Sequence, residues 1–104
     1  MQGLTVFTIV ARRWFDKSAG NTYHSVNVYA DGELVGRNPY AYGYGDHYLQ
    51  TAHEVLQNKG WYPKTDGRLK SGISEDWYNF RNDMVDNPTR FIVECADVAR
   101  KKDL

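Results

Sequence analysis

Asp31-Gly32 constrains this fold more than any other feature, because it leaves only two residues for a turn between two runs that read as strands. A two-residue hairpin of type I′ needs positive φ at both central positions, which Asp tolerates and Gly adopts freely. Ahead of the turn, residues 22–30 alternate. His24, Val26 and Val28 share one face, and Tyr23, Ser25, Asn27 and Tyr29 share the other. The turn predicts a register with Tyr29 opposite Leu34 and Val28 opposite Val35.

Upstream, Leu4 to Phe15 is rich in β-branched and aromatic residues on both faces, with Val6 and Val10 on one and Phe7 and Ile9 on the other. A strand apolar on both sides belongs inside a sheet. Its apolar part, Leu4 to Ala11, is interrupted by two threonines and followed rather than preceded by Arg12 and Arg13, so it does not read as a signal peptide. No window approaches the ~20 apolar residues of a membrane helix. The expectation is a soluble, cytoplasmic protein that makes no membrane contact.

Downstream, Tyr48, Leu49, Ala52, Val55 and Leu56 recur at helical spacing, which predicts a helix from about His47 to Lys59. Asp46 stands where an N-cap belongs and Gly60 where a left-handed stop belongs. His47, Gln50, Thr51, Glu54, Gln57 and Asn58 fall on the wet side. Ser74 caps a second helix, with Glu75 and Asp76 in its first turn and Trp77, Phe80, Met84 and Val85 on its apolar side; Asn87-Pro88 ends it. Residues 89–98 return to strand, with Phe91, Val93 and Cys95 on one face, and residues 100–104 read as a frayed polar tail.

The order is β-β-β-α-α-β. It predicts a single α+β domain over residues 1–104, built on a four-stranded, mainly antiparallel sheet ordered 3-2-1-4 with both helices on one face. If every connection reverses direction, the last strand runs antiparallel to the first.

Catalytic chemistry finds little support. His47 and His53 point about 120° apart on a helix, and His47 and Glu54 lie roughly 10 Å apart along its axis. His24 sits on the core face and His53 beside the apolar stripe, so both read as satisfied boundary histidines rather than metal ligands. Cys95 lies between apolar neighbours, a setting for an inert thiol. Gly43-Tyr44-Gly45 lacks the third glycine of a dinucleotide fingerprint. No metal and no cofactor is expected, and no enzyme activity.

Two stretches are candidates for binding. Residues 38–48 carry half of the eight tyrosines and feed a helix N-terminus. Tyr42, Tyr44, Asp46 and His47 form a candidate surface there, or else a tight strand-to-helix connection. The aperiodic connector Trp61–Gly72 joins Trp61 and Tyr62 to Lys64, Arg68 and Lys70, residue types that a single-stranded nucleic acid uses. Thirteen basic residues balance thirteen acidic ones, which argues against binding nucleic acid through overall charge. Glu75, Asp76, Asp83 and Asp86 make the second helix acidic. That polarity suits the connector itself, a protein partner or a second copy in a homodimer.

Ala11-Arg12-Arg13-Trp14-Phe15-Asp16, Gly20-Asn21-Thr22-Tyr23-His24-Ser25-Val26 and Tyr42-Gly43-Tyr44-Gly45-Asp46-His47-Tyr48 resemble stretches of small accessory proteins of phages and prophages. The resemblance covers about the first half of the chain and brings no catalytic residues. It implies an interaction role, such as binding a host or phage factor. The expected function is a non-enzymatic binding module for a protein partner; the alternative is a small nucleic-acid-binding domain.

Overall fold

The computed structural model describes residues 5–104. Its elements are β1 (Phe7–Asp16), β2 (Asn21–Ala30), β3 (Glu33–Tyr42), α1 (Tyr48–Asn58), α2 (Glu75–Asp86) and β4 (Phe91–Val98). They build the α+β architecture read from the sequence, with strand order β3-β2-β1-β4. Leu4, placed in the first strand by its composition, lies outside the described residues.

Asp31 and Gly32 have φ of 49° and 85°, as a type I′ turn requires. Tyr29 faces Leu34 as expected, but Val28 faces Gly36 rather than Val35. A bulge after the first pairs takes up the extra residue. It puts a residue without a Cβ under α1, where a Cβ on Gly36 would meet Val55 Cγ1 at 2.4 Å. Only glycine lets this strand approach the helix so closely. A second shift, between His24 and Val26, coincides with Pro39, which lies on an edge strand where its missing N–H costs nothing.

β4 runs parallel to β1, not antiparallel. The antiparallel expectation treats the two helices as a reversal; the connector between them makes its own return. α1 descends from the upper end of the sheet and stops in a Schellman turn, with Gly60 N donating to Gln57 O and Trp61 N to Leu56 O. There the ring of Trp61 meets Phe7 at the lower end of β1, centroids 5.5 Å apart. The chain then climbs beside α1, held by Gln57 Nε2 donating to Pro63 O, before α2 begins level with His53. α2 descends in its turn, and Phe80 reaches Phe91 at the start of β4. Thr89, expected in that strand, lies in a 3₁₀ turn, Pro88–Arg90.

The core lies between the sheet and the helices: Phe7, Ile9 and Ala11, then Val26, Val28 and Ala30, closed by Ala52, Val55 and Leu56 and by Phe80 and Phe91. Ser74 caps α2 as predicted, its Oγ accepting from Trp77 N at 3.3 Å. Val85 departs from the expected apolar side and is 68% exposed, because α2 rests on the core through Phe80, with Trp77 and Met84 packed beside it. Val93 likewise stays largely open on the edge strand. The tail is not frayed: Lys101–Asp103 forms a 3₁₀ turn on the open face of the sheet, where Arg12 Nη1 donates to Asp103 O. No helix among the described residues is long and apolar enough to cross a membrane.

Phe80 is fully buried against His53, Tyr62 and Phe91. Phe80→Ala is expected to cost about 3–5 kcal/mol in a denaturant melt. Val85→Ala, on the same helix, is expected to stay within about 0.5 kcal/mol.

Candidate functional site

The candidate residues do not form one surface. Tyr42, Tyr44, Asp46 and His47 lie at the upper end of α1, and Trp61, Tyr62, Lys64, Arg68 and Lys70 follow its lower end, about 16 Å away for a helix of 11 residues.

The upper loop is built around a buried histidine. His24 has no exposed surface, and both ring nitrogens are engaged. Nδ1 lies 3.2 Å from Gly43 O and Nε2 lies 2.6 Å from Thr51 Oγ1. A carbonyl only accepts, so Nδ1 carries the proton and Nε2 accepts from the threonine hydroxyl. Gly43 has φ 150°, and a Cβ there would strike the His47 ring at 2.5 Å, so the chain passes under His47 only as glycine. Gly43 N donates to Thr22 O, which fastens the loop to β2 from the other side. Thr51, placed on the wet side by its spacing, is buried because this imidazole needs its hydroxyl.

Asp46 is not the N-cap. His47 takes that position with helical φ and ψ, and no side chain caps the helix. A turn over residues 45–47 feeds directly into α1, with Leu49 N donating to Asp46 O, so the first amides are met by backbone. Asp46 and Tyr44 face solvent.

Around this loop the upper rim gathers exposed aromatic rings. Phe15 is 53% exposed, Tyr40 43%, Tyr42 59% and Tyr44 74%. Beside Phe15 a cleft of about 330 Å³ is lined by Arg13, Phe15, Thr22, Gly45, Asp97 and Val98. Arg13 ties three segments together there: its Nε donates to Asp97 Oδ1 at 2.9 Å and its Nη1 to Gly45 O at 2.8 Å. Neither Arg13 nor Asp97 stands out by spacing, since a parallel β1–β4 pair is what sets them opposite one another.

On the open face Trp14, Tyr23 and Tyr40 form a ladder across three strands, with centroids 5.9 and 4.9 Å apart and planes 26° and 12° from parallel. The rings turn their faces to one another, and Lys101 Nζ sits 4.8 Å over Tyr40. A base-stacking platform needs ring faces turned to solvent.

At the lower end Tyr62 is spent on structure: its hydroxyl donates to Asp83, and burial followed by that carboxylate pushes its phenol well above the ordinary value. Trp61 packs edge-on against Phe7 and remains 44% exposed. Lys64, Arg68 and Lys70 are exposed on a connector with its own small turn, a bridge from Arg68 to Ser74. The acids of α2 do not pair with them. Asp76 accepts from Thr65 N and Oγ1, and the two ion pairs among the described residues are Arg13–Asp97 and Arg100–Asp103.

His53 departs from the satisfied boundary role. It is 5% exposed, stacked on Phe80 at 4.6 Å, and its Nε2 has no hydrogen-bond partner. Cys95 is half-buried near Tyr48, and burial pushes its thiol up, opposed by Arg13. Among the described residues no three His, Cys, Asp or Glu side chains converge as metal ligands would.

Burial lowers the pKa of both His24 and His53. In the unfolded chain an imidazole takes up its proton near pH 6.5. The unfolded state therefore binds more protons just below that pH, and stability falls as pH drops from about 6.5 toward the folded values. Urea melts at pH 7 and pH 5 are expected to record this loss. Thr51→Val removes the hydroxyl from His24 at nearly constant shape and is expected to cost about 1–3 kcal/mol, the price of a buried acceptor left unpaired.

Protein-family models, curated proteins and solved structures yield no match to this chain, so both surfaces are interpreted from their own chemistry.

Proposed function

We propose that the chain is a non-enzymatic binding module that recognises a protein partner through the aromatic rim at its upper end. The observation that carries this reading is the number of exposed rings at the upper end of the sheet, Tyr40, Tyr42 and Tyr44 on β3 and the loop after it and Phe15 at the Arg13–Asp97 cleft. Aromatic residues and arginine supply most of the energy at protein interfaces. The rim is also pre-organised: His24 and Thr22 hold the Gly43 backbone from two sides, so little loop entropy is lost on docking. The resemblance to phage and prophage accessory proteins suits such a role, with a host or phage factor as the partner.

Other features support a non-enzymatic reading. Both nitrogens of His24 are engaged in holding the fold, and the Cys95 thiol is pushed away from its reactive form. For nucleic acid, the ladder keeps its ring faces turned inward, and Tyr62 is committed to Asp83. Trp61, exposed ahead of Lys64, is the residue through which that second reading would act.

The test is capture from a lysate of the native host, with and without nuclease, by the chain and by its Tyr42→Ala/Tyr44→Ala variant. Both tyrosines are exposed, so the variant is expected to melt like the parent. A protein retained after nuclease treatment, and bound at least tenfold more weakly by the variant, is the expected outcome; about 2 kcal/mol per hot-spot residue gives this scale. A catch that vanishes with nuclease, or one indifferent to both substitutions, contradicts the reading.

A further inference from the structure

The two edges of the sheet are built differently. β3 carries two register shifts against β2 and holds Pro39 within its span. Bulges and proline blunt an edge against pairing with another chain. β4 pairs with β1 in unbroken register from Phe91 to Val98 and contains no proline, glycine, lysine or arginine. Its only strand neighbour among the described residues is β1, so alternate N–H and C=O groups face outward along a regular edge. Ile92 and Val93, on opposite faces of the strand, are 50% and 40% exposed.

We infer that β4 is a self-association edge, along which two copies pair antiparallel about a two-fold axis and join their sheets into one. Symmetry restricts the register. Outward-facing backbone groups must meet outward-facing ones, and these alternate along the strand, so the axis passes through a residue rather than between two. An axis at Glu94 sets that carboxylate directly against its own copy, which is unfavourable. An axis at Ala96 shortens the ladder to Glu94–Val98. An axis at Cys95 keeps Ile92–Val98 in the ladder and places Glu94 opposite Ala96, Ile92 opposite Val98 and Val93 opposite Asp97.

This last register is the one the side chains fit. Ile92 and Val98 cover each other on the open face, the small Ala96 makes room for Glu94, and Asp97 is already paired with Arg13. The strand complements itself, which makes a second copy the occupant. Glu94 has no ion pair among the described residues and lies diagonal to its copy, about 7–8 Å away, so a like-charge repulsion remains. So short a seam falls in the weak class of interfaces, below about 1,200 Å².

Sedimentation equilibrium of the intact chain at low and high salt tests the inference. The parent is expected to dimerise reversibly and more tightly at high salt, as screening quiets the Glu94 pair. Ile92→Lys is expected to raise Kd at least tenfold. Ala96→Lys sets an ammonium opposite each Glu94, so it is expected to lower Kd and reverse the salt dependence. Ile92 and Ala96 are exposed, so both variants are expected to fold, and thermal melts check it. A parent that stays monomeric to about 1 mM, a dimer indifferent to Ile92→Lys, or one weakened by Ala96→Lys overturns the inference.

Discussion

Burying an imidazole costs free energy unless both ring nitrogens find partners, and His24 finds them in two different elements. One nitrogen holds the Gly43 carbonyl and the other the Thr51 hydroxyl, so a side chain of β2 fixes both the loop leaving β3 and the helix that follows. Remove either partner and the buried ring is left with an unmet polar atom, a penalty larger than the net worth of an ordinary hydrogen bond. The position of α1 over the sheet, and of the tyrosines on the upper rim, depends on this one ring.

The rest of the molecule divides its aromatic residues between structure and surface. Phe80, Tyr62 and Phe91 close the lower core, while the Trp14–Tyr23–Tyr40 ladder stiffens the open face under the Lys101 cation. What remains exposed lies at the upper rim, at Trp61 and at Tyr78 on α2. The rim is held at its base by Arg13, which spans β1, β4 and the loop at Gly45.

The hairpin at Asp31-Gly32, the Ser74 cap and the Gly60 stop were legible in the sequence, because each is decided by residues adjacent in the chain; strand order was legible because a first strand apolar on both faces needs a neighbour on each side. Features set by distant residues were not. The direction of β4 depends on whether residues 59–74 reverse the chain or carry it back, and no local pattern distinguishes the two. Val28 faces Gly36 because Val55 of a later helix leaves no room for a Cβ. Thr51 is polar and falls on a wet-looking face, yet the unmet nitrogen of His24 draws it inside; a buried histidine on a predicted core face is itself a signal that some hydroxyl must be found for it. Asp46 had the right residue type for a cap, but the turn over residues 45–47 met the first amides with backbone.

The tautomer of His24 reports on the central claim most directly. Long-range proton–nitrogen NMR correlations distinguish a protonated Nδ1 from a protonated Nε2 and follow the ring as pH is lowered. The account predicts a neutral ring protonated at Nδ1, with Nε2 accepting a hydrogen bond, persisting below the pH of about 6.5 at which a free imidazole gains its proton. A ring protonated at Nε2, or one that titrates like a free imidazole, contradicts it.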